Sequence, residues 1–118
     1  MTLAEQRAAR LEDAQRAYQA ALDAPLVAVG RNWTLDAVER DLLTQYVVAQ
    51  LAGGTVPANL ILQANSGAVV TLTPADAIDL LAHIVTRNQR LRIRLYVVTR
   101  DILATTNPAV VDTDAEWI

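Results

Sequence analysis

The sequence predicts a mainly α protein of the α+β class, with three helices, two short β-hairpins and a long final helix. Three observations predict it. Apolar residues recur at alternating spacings of four and three over residues 77–102, the period of one face of a helix. Two short runs of branched residues, "LVAVGRNWTL" and "LILQANSGAVVTL", are each interrupted by a turn signal. Alanine is abundant and phenylalanine absent, which favours a core of helix contacts over small residues. At 118 residues the chain is one domain. A chain of this size buries roughly two-thirds of its unfolded surface, enough for a core without staples.

The first helix occupies residues 1–24. Thr2 caps it and Glu5, three residues on, completes a capping box. Ala4, Ala8, Leu11, Tyr18 and Leu22 form a thin apolar stripe, interrupted by Gln15, and Pro25 ends the helix. Residues 25–35 read as a hairpin around "GRN". Residues 36–53 read as a second helix, capped by Asp36 with Glu39 completing the box. It carries Val38, Leu42, Leu43, Tyr46, Val47 and Leu51, and stops at "AGG". A second hairpin, residues 59–72, turns at "ANSG". Thr73 then caps a long helix over residues 73–105, with Pro74 at its first position, where a missing N–H costs nothing. The tail, residues 106–118, forms one last turn from Asp112 and docks Trp117 on an apolar surface.

The long helix carries the strongest signal. Ala77, Leu81, Ile84, Asn88, Leu91, Leu95, Val98 and Ile102 form a heptad seam. Leu81, Asn88, Leu95 and Ile102 take its a positions; Ala77, Ile84, Leu91 and Val98 take its d positions. Leucine at a with a branched residue at d leans toward trimers or tetramers. Asn88 has two readings: a polar a-position residue that fixes oligomer register, or a partner for a polar group of its own chain. A helix of this length measures about 46 Å, against a diameter of about 35 Å for a compact chain of this size. A second strip, Ile93, Val97 and Leu103, lies on another side. The eight seam residues are therefore the expected interface of a homo-oligomer, most simply a trimer.

"HIVTRNQRLRIRL" holds four of the ten arginines and the one histidine. Net charge is −3, which opposes phosphate binding in the absence of a basic surplus, and stacking aromatics are sparse there. Arg87, Arg92 and Arg94 fit ion pairs flanking the seam instead. Cysteine is absent, which excludes disulfides and thiolate metal sites. His83 has no nucleophile or ligand partner in the sequence pattern and is read as structural. "DTDAE" lacks the glycine and distant glutamate of a calcium loop, "LAGGT" lacks the end of a phosphate loop, and "ANSGAV" lacks a hydrolase elbow. No catalytic residue, metal, cofactor or membrane span is expected. The acidic, polar opening is unlike a secretion signal, so synthesis in a cytoplasm is expected.

An Ala- and Arg-rich first helix precedes "APLVAVGRNWTLDAVERDLLTQYVVAQLAGG". A short hairpin and the long helix follow, in "LILQANSGAVVTLTPADAIDLLAHIVTRNQRLRIRLYVVTRDI". This order resembles an uncharacterised domain family found in phage and prophage tail-fibre, tail-assembly and baseplate-region proteins. The resemblance covers nearly the whole chain. It rests on Val29, Gly30, Trp33 and Asp36, then Leu60, Asn65, Gly67, Leu72 and Thr73. Leu60 or Leu62 stands where a tryptophan is common in that family. The resemblance implies no catalytic residues and a structural place in a tailed-phage virion, among other tail or fibre proteins that are commonly trimers. A fibre-assembly chaperone absent from the virion is the alternative. A nucleic-acid-binding regulator using the Arg87 to Arg94 stretch is a further one.

Overall fold

The computed structural model describes residues 1–64 and 67–113. The turn residues Asn65 and Ser66, and the tail residues Asp114, Glu116 and Trp117, lie outside the described residues. The elements run α1 (Leu3–Asp23), β1 (Leu26–Ala28), β2 (Arg31–Trp33), α2 (Ala37–Leu51), β3 (Leu60–Gln63), β4 (Val69–Leu72) and α3 (Pro74–Ala104), then a 3-10 turn at Pro108–Val110. The protein is mainly α with two small antiparallel sheets, as the sequence predicts. "LRIRLYVV" is helical, inside α3.

The chain forms two compact units, each with its own core. Residues 25–86 make one; residues 1–24 with the chain from Arg87 onward make the other. Helix α3 is continuous through both, contributing its first turns to one and the remainder to the other.

In the 25–86 unit, β1 and β2 pair with Leu26 opposite Trp33 and Ala28 opposite Arg31. Only Val29 and Gly30 lie between the strands, so the turn falls one residue earlier than "GRN" suggests. Both have positive φ, 50° and 73°, the backbone of a type I′ turn whose twist matches that of the strands. Glycine adopts this at no steric cost, whereas a branched residue is strained there by about 1–2 kcal/mol. Val29 holds the conformation while its side chain packs against the unit's core. Trp33 is buried, and its indole N–H donates to the Ala28 carbonyl at 2.8 Å.

Asp36 accepts from the Glu39 amide at 2.9 Å and caps α2. The other half of the expected capping box does not form, because the Glu39 carboxylate instead accepts from the Gln63 amide of β3 at 2.9 Å. Helix α2 ends in a Schellman motif. Gly54 N–H donates to Ala49 C=O, Gly53 N–H donates to Gln50 C=O, and Gly53 supplies the positive φ the motif needs. Helix α2 buries Leu43, Tyr46 and Val47, while Val38, Leu42 and Leu51 stay exposed. The Tyr46 hydroxyl donates to the Pro57 carbonyl at 2.8 Å and ties down the loop after the helix. Strands β3 and β4 pair with Leu62 opposite Val70 and Leu60 opposite Leu72. This places Leu62, Val70 and Leu72 in the core with Trp33, Leu43, Val47, Ala77, Leu80 and Ile84.

In the other unit, α1 packs Ala14 and Tyr18, with Leu11, Ala17, Ala21 and Leu22 beside them, against Leu91, Leu95, Val98 and Ile102 of α3. Ala4 and Ala8, expected in the stripe, are exposed; the apolar face runs instead through Ala14, Ala17 and Ala21. Alanine fits either surface, so periodicity alone misassigns it.

Candidate functional site

A site could sit at the histidine, the arginines, Asn88 or the seam. Among the described residues, no group of three or more histidine, cysteine, aspartate and glutamate residues could hold a metal, and no helix is long and apolar enough to cross a membrane. His83 sits on the exposed side of α3. Its Nδ1 lies 2.8 Å from the Asp79 carbonyl, one turn back, and 3.5 Å from that residue's carboxylate. The contact is local to the helix surface.

Three of the arginines, Arg7, Arg10 and Arg87, reach backbone carbonyls. Arg87 of α3 donates to the Ala24 and Leu22 carbonyls at 2.7 and 3.1 Å. These are the unpaired carbonyls at the C-terminus of α1, whose last turn carries no basic residue of its own. The guanidinium thus meets the negative end of the helix dipole and satisfies its orphan acceptors. Arg7 makes the complementary contact, donating to the Thr105 carbonyl beyond α3 at 2.9 Å. Arg10 donates to the Val111 carbonyl through Nε and Nη2 at 3.0 and 2.6 Å, and pairs with Asp13. Arg92 lies over the Tyr18 ring, 6.0 Å from its centroid. Replacing Arg87 with Met is expected to lower stability by about 2 kcal/mol, because charge-assisted hydrogen bonds to orphan carbonyls are lost. Lysine should recover less than half of this, since one ammonium cannot reproduce the planar fork. Urea unfolding of both variants checks it.

Of the eight residues expected at an oligomer interface, five are buried within the chain and three are half-buried. Ala77 and Ile84 are buried in the core of the 25–86 unit, and Leu91, Val98 and Ile102 in the core shared with α1. Leu81 packs half-buried at the edge of the first core, Leu95 at the edge of the second. Asn88 is half-buried. At about 100° per residue, the buried stripe is centred on Leu80, Ile84, Leu91 and Val98. The expected a positions Leu81, Asn88 and Leu95 flank it on one side, and Arg87 and Arg94 on the other. Leu80, fully buried, is the core residue the heptad pattern passes over in favour of Leu81. A straight helix drifts from a strict seven-residue repeat, so the stripe that packs is rotated from the one counted.

The Asn88 Oδ1 atom is buried and has no hydrogen-bond partner among the described residues. An unsatisfied buried acceptor costs about 1–3 kcal/mol. Asn88→Leu is therefore expected to raise stability by about 1–2 kcal/mol, extending the apolar row between Ile84 and Leu91. Thermal unfolding should show a higher midpoint. A lower midpoint would mean that Asn88 satisfies a partner outside the isolated chain.

The exposed side of α3 is the feature that sequence reasoning placed least well. Val85, Ile93, Tyr96 and Leu103 are each more than half exposed. Tyr96 and Leu103 fall within about 20° of one line along the helix. Of the strip expected from sequence, Ile93 and Leu103 are on this surface, and Val97 is half-buried.

No curated protein matches the chain, and no solved structure does. A family model does match it, over residues 5–116, from the first turn of α1 onward. The protein accordingly belongs to the family described as Domain of unknown function (DUF4376).

Proposed function

We propose that the protein is a small, non-enzymatic structural component of a tailed-phage tail or tail-fibre apparatus, built into the virion by association with itself and with other tail or fibre proteins. The observation that carries this reading is the apolar outer side of α3 after Arg87, where Ile93, Tyr96 and Leu103 stay exposed among the described residues of a unit that already has its own core. Large apolar side chains grouped on a surface are a feature of association sites. The biological setting comes from the sequence resemblance, carried by the Val29–Gly30–Trp33–Asp36 hairpin and by the β3–β4 hairpin leading into α3. Self-association through α3 would use this outer side, since five of the eight seam residues are buried within the chain. The number of copies is read from the native mass. Within the Arg87 to Arg94 stretch, Arg87 holds backbone carbonyls and Arg92 lies over Tyr18, which supports this reading over nucleic-acid binding.

Mass spectrometry of purified particles, with sedimentation of the isolated protein, tests the proposal. A structural component is present in mature particles at fixed stoichiometry. A chaperone is absent from them and binds free fibre protein. DNA retardation that weakens steeply with salt would instead indicate a regulator.

A further inference from the structure

Helices α2 and α3 each turn an outer side to solvent, and the two sides match in spacing. On α2, Val38, Asp41, Gln45 and Val48 recur at intervals of three, four and three, and all four are exposed. On α3, Ile93, Tyr96, Arg100 and Leu103 recur at the same intervals and are likewise exposed. At about 100° and 1.5 Å per residue, each set lies within an arc of about 80° and extends over about 15 Å. The apolar members, Val38, Val48, Ile93, Tyr96 and Leu103, are each more than half exposed. Each helix meanwhile packs its opposite side into the core of its own unit, through Leu43 and Val47 in α2 and through Leu91, Val98 and Ile102 in α3.

The two sides belong to stretches of opposite charge. Residues 25–86 hold two arginines against five acids, whereas residues 87–104 hold five arginines against one aspartate. Beside the α3 line, Arg90 and Arg92 are exposed as well as Arg100. Either side set against its own counterpart in a second copy opposes like charge, whichever way the helices run. One side set against the other opposes unlike charge, and complementary charge selects partner and register. We infer that the outer side of α3 seats the outer side of α2 from a second copy of this chain, with the two helices antiparallel.

In this register Val38 meets Leu103, Asp41 meets Arg100, Gln45 meets Tyr96 and Val48 meets Ile93. Intervals of three, four and three read the same in both directions, so the four pairs form together. Arg100 pairs with its neighbour Asp101 at the surface, a contact worth little in water, and can turn to Asp41. One turn beyond Ile93, Arg90 comes to Leu51, at the end of α2. The last turn of α2 carries no basic residue of its own. A guanidinium there meets the negative end of the helix dipole, the kind of contact that Arg87 makes with the end of α1 inside the chain. Because the two surfaces differ, each added copy brings a fresh one of each kind. Association then proceeds head to tail, as a ring where the rotation closes and as a filament where it does not. This inference rests on the self-association proposed above and names the surface that the outer side of α3 meets.

The test is sedimentation velocity of the full chain over a range of concentrations, with one variant for each surface. Val48→Lys alters the α2 side and Ile93→Lys the α3 side, both at exposed positions. Circular dichroism and the thermal midpoint of dilute protein check their folding, and Val38→Lys or Leu103→Lys replaces a variant that fails. The native chain is expected to form species larger than a dimer as concentration rises, and each variant alone to associate at least tenfold more weakly. Mixed in equal amounts, the two variants should form a heterodimer and nothing larger, through the α2 side that Ile93→Lys keeps and the α3 side that Val48→Lys keeps. Two defective variants that fail to pair on mixing would overturn the inference. So would association abolished by Ile93→Lys yet indifferent to Val48→Lys, a result that leaves self-association through α3 standing. A native chain that stays monomeric at every concentration would overturn both.

Discussion

Trp33→Ala is expected to destabilise the protein by about 3–5 kcal/mol, the range for removing a large aromatic from a packed core. Trp33 is 3% exposed. Three contacts converge on it. It packs into the core of the 25–86 unit, its indole N–H satisfies the Ala28 carbonyl across the hairpin, and the Arg31 guanidinium lies 5.8 Å from its ring centroid. The three act together, because the type I′ turn at Val29 and Gly30 is what brings Ala28 within reach of the indole. Removing the ring also releases the anchor that holds Val29 in its strained conformation. Urea unfolding followed by far-ultraviolet circular dichroism gives the loss, and amide exchange should locate it in residues 25–86. Trp33→Phe separates the terms. It keeps much of the ring volume but deletes the donor, and about 1 kcal/mol of its cost should come from the hydrogen bond alone. A loss below about 1 kcal/mol for Trp33→Ala would show that the hairpin is not part of a cooperative core.

Leu91→Ala should cost about 2–5 kcal/mol by the same cavity argument. Leu91 is 1% exposed, packed with Ala14 and Tyr18 of α1 and with Val98 and Ile102 of α3. The informative feature is the concentration dependence. A residue buried within one chain lowers the midpoint by the same amount at every protein concentration. A residue buried between copies lowers it most where dilution already favours dissociation. The expected result is a concentration-independent drop with an unchanged native mass. A change of mass at unchanged monomer stability would return Leu91 to an interface between copies. Paired with Arg87→Met, the substitution also asks whether the α1–α3 contact depends mainly on its apolar stripe or on the cap at its end. The apolar stripe should dominate, since a buried leucine removed leaves a cavity whereas carbonyls at a helix end can turn to water.

The sequence alone determined the elements of this protein. Thr2, Asp36 and Thr73 each cap the helix predicted after them, Pro25 and the Gly53–Gly54 pair stop two helices where expected, and the glycine at position 30 marks a hairpin. These signals are legible because each acts through its own backbone or that of residues a few positions away. Helical continuity through "LRIRLYVV" was legible for the same reason, being a property of local spacing. What only the tertiary structure decided was the destination of each surface. Periodicity located an apolar stripe on α3 but could not say whether another copy or the chain's own α1 and hairpins covered it. Nor could it separate Leu80 from Leu81, adjacent leucines about 100° apart on the helix. The Arg87 side chain was read as flanking an interface, yet it caps a helix sixty-odd residues earlier in the chain. Glu39, read as half of a capping box, seals a strand edge. Long charged side chains reach several ångströms, so the chain's path sets their partners.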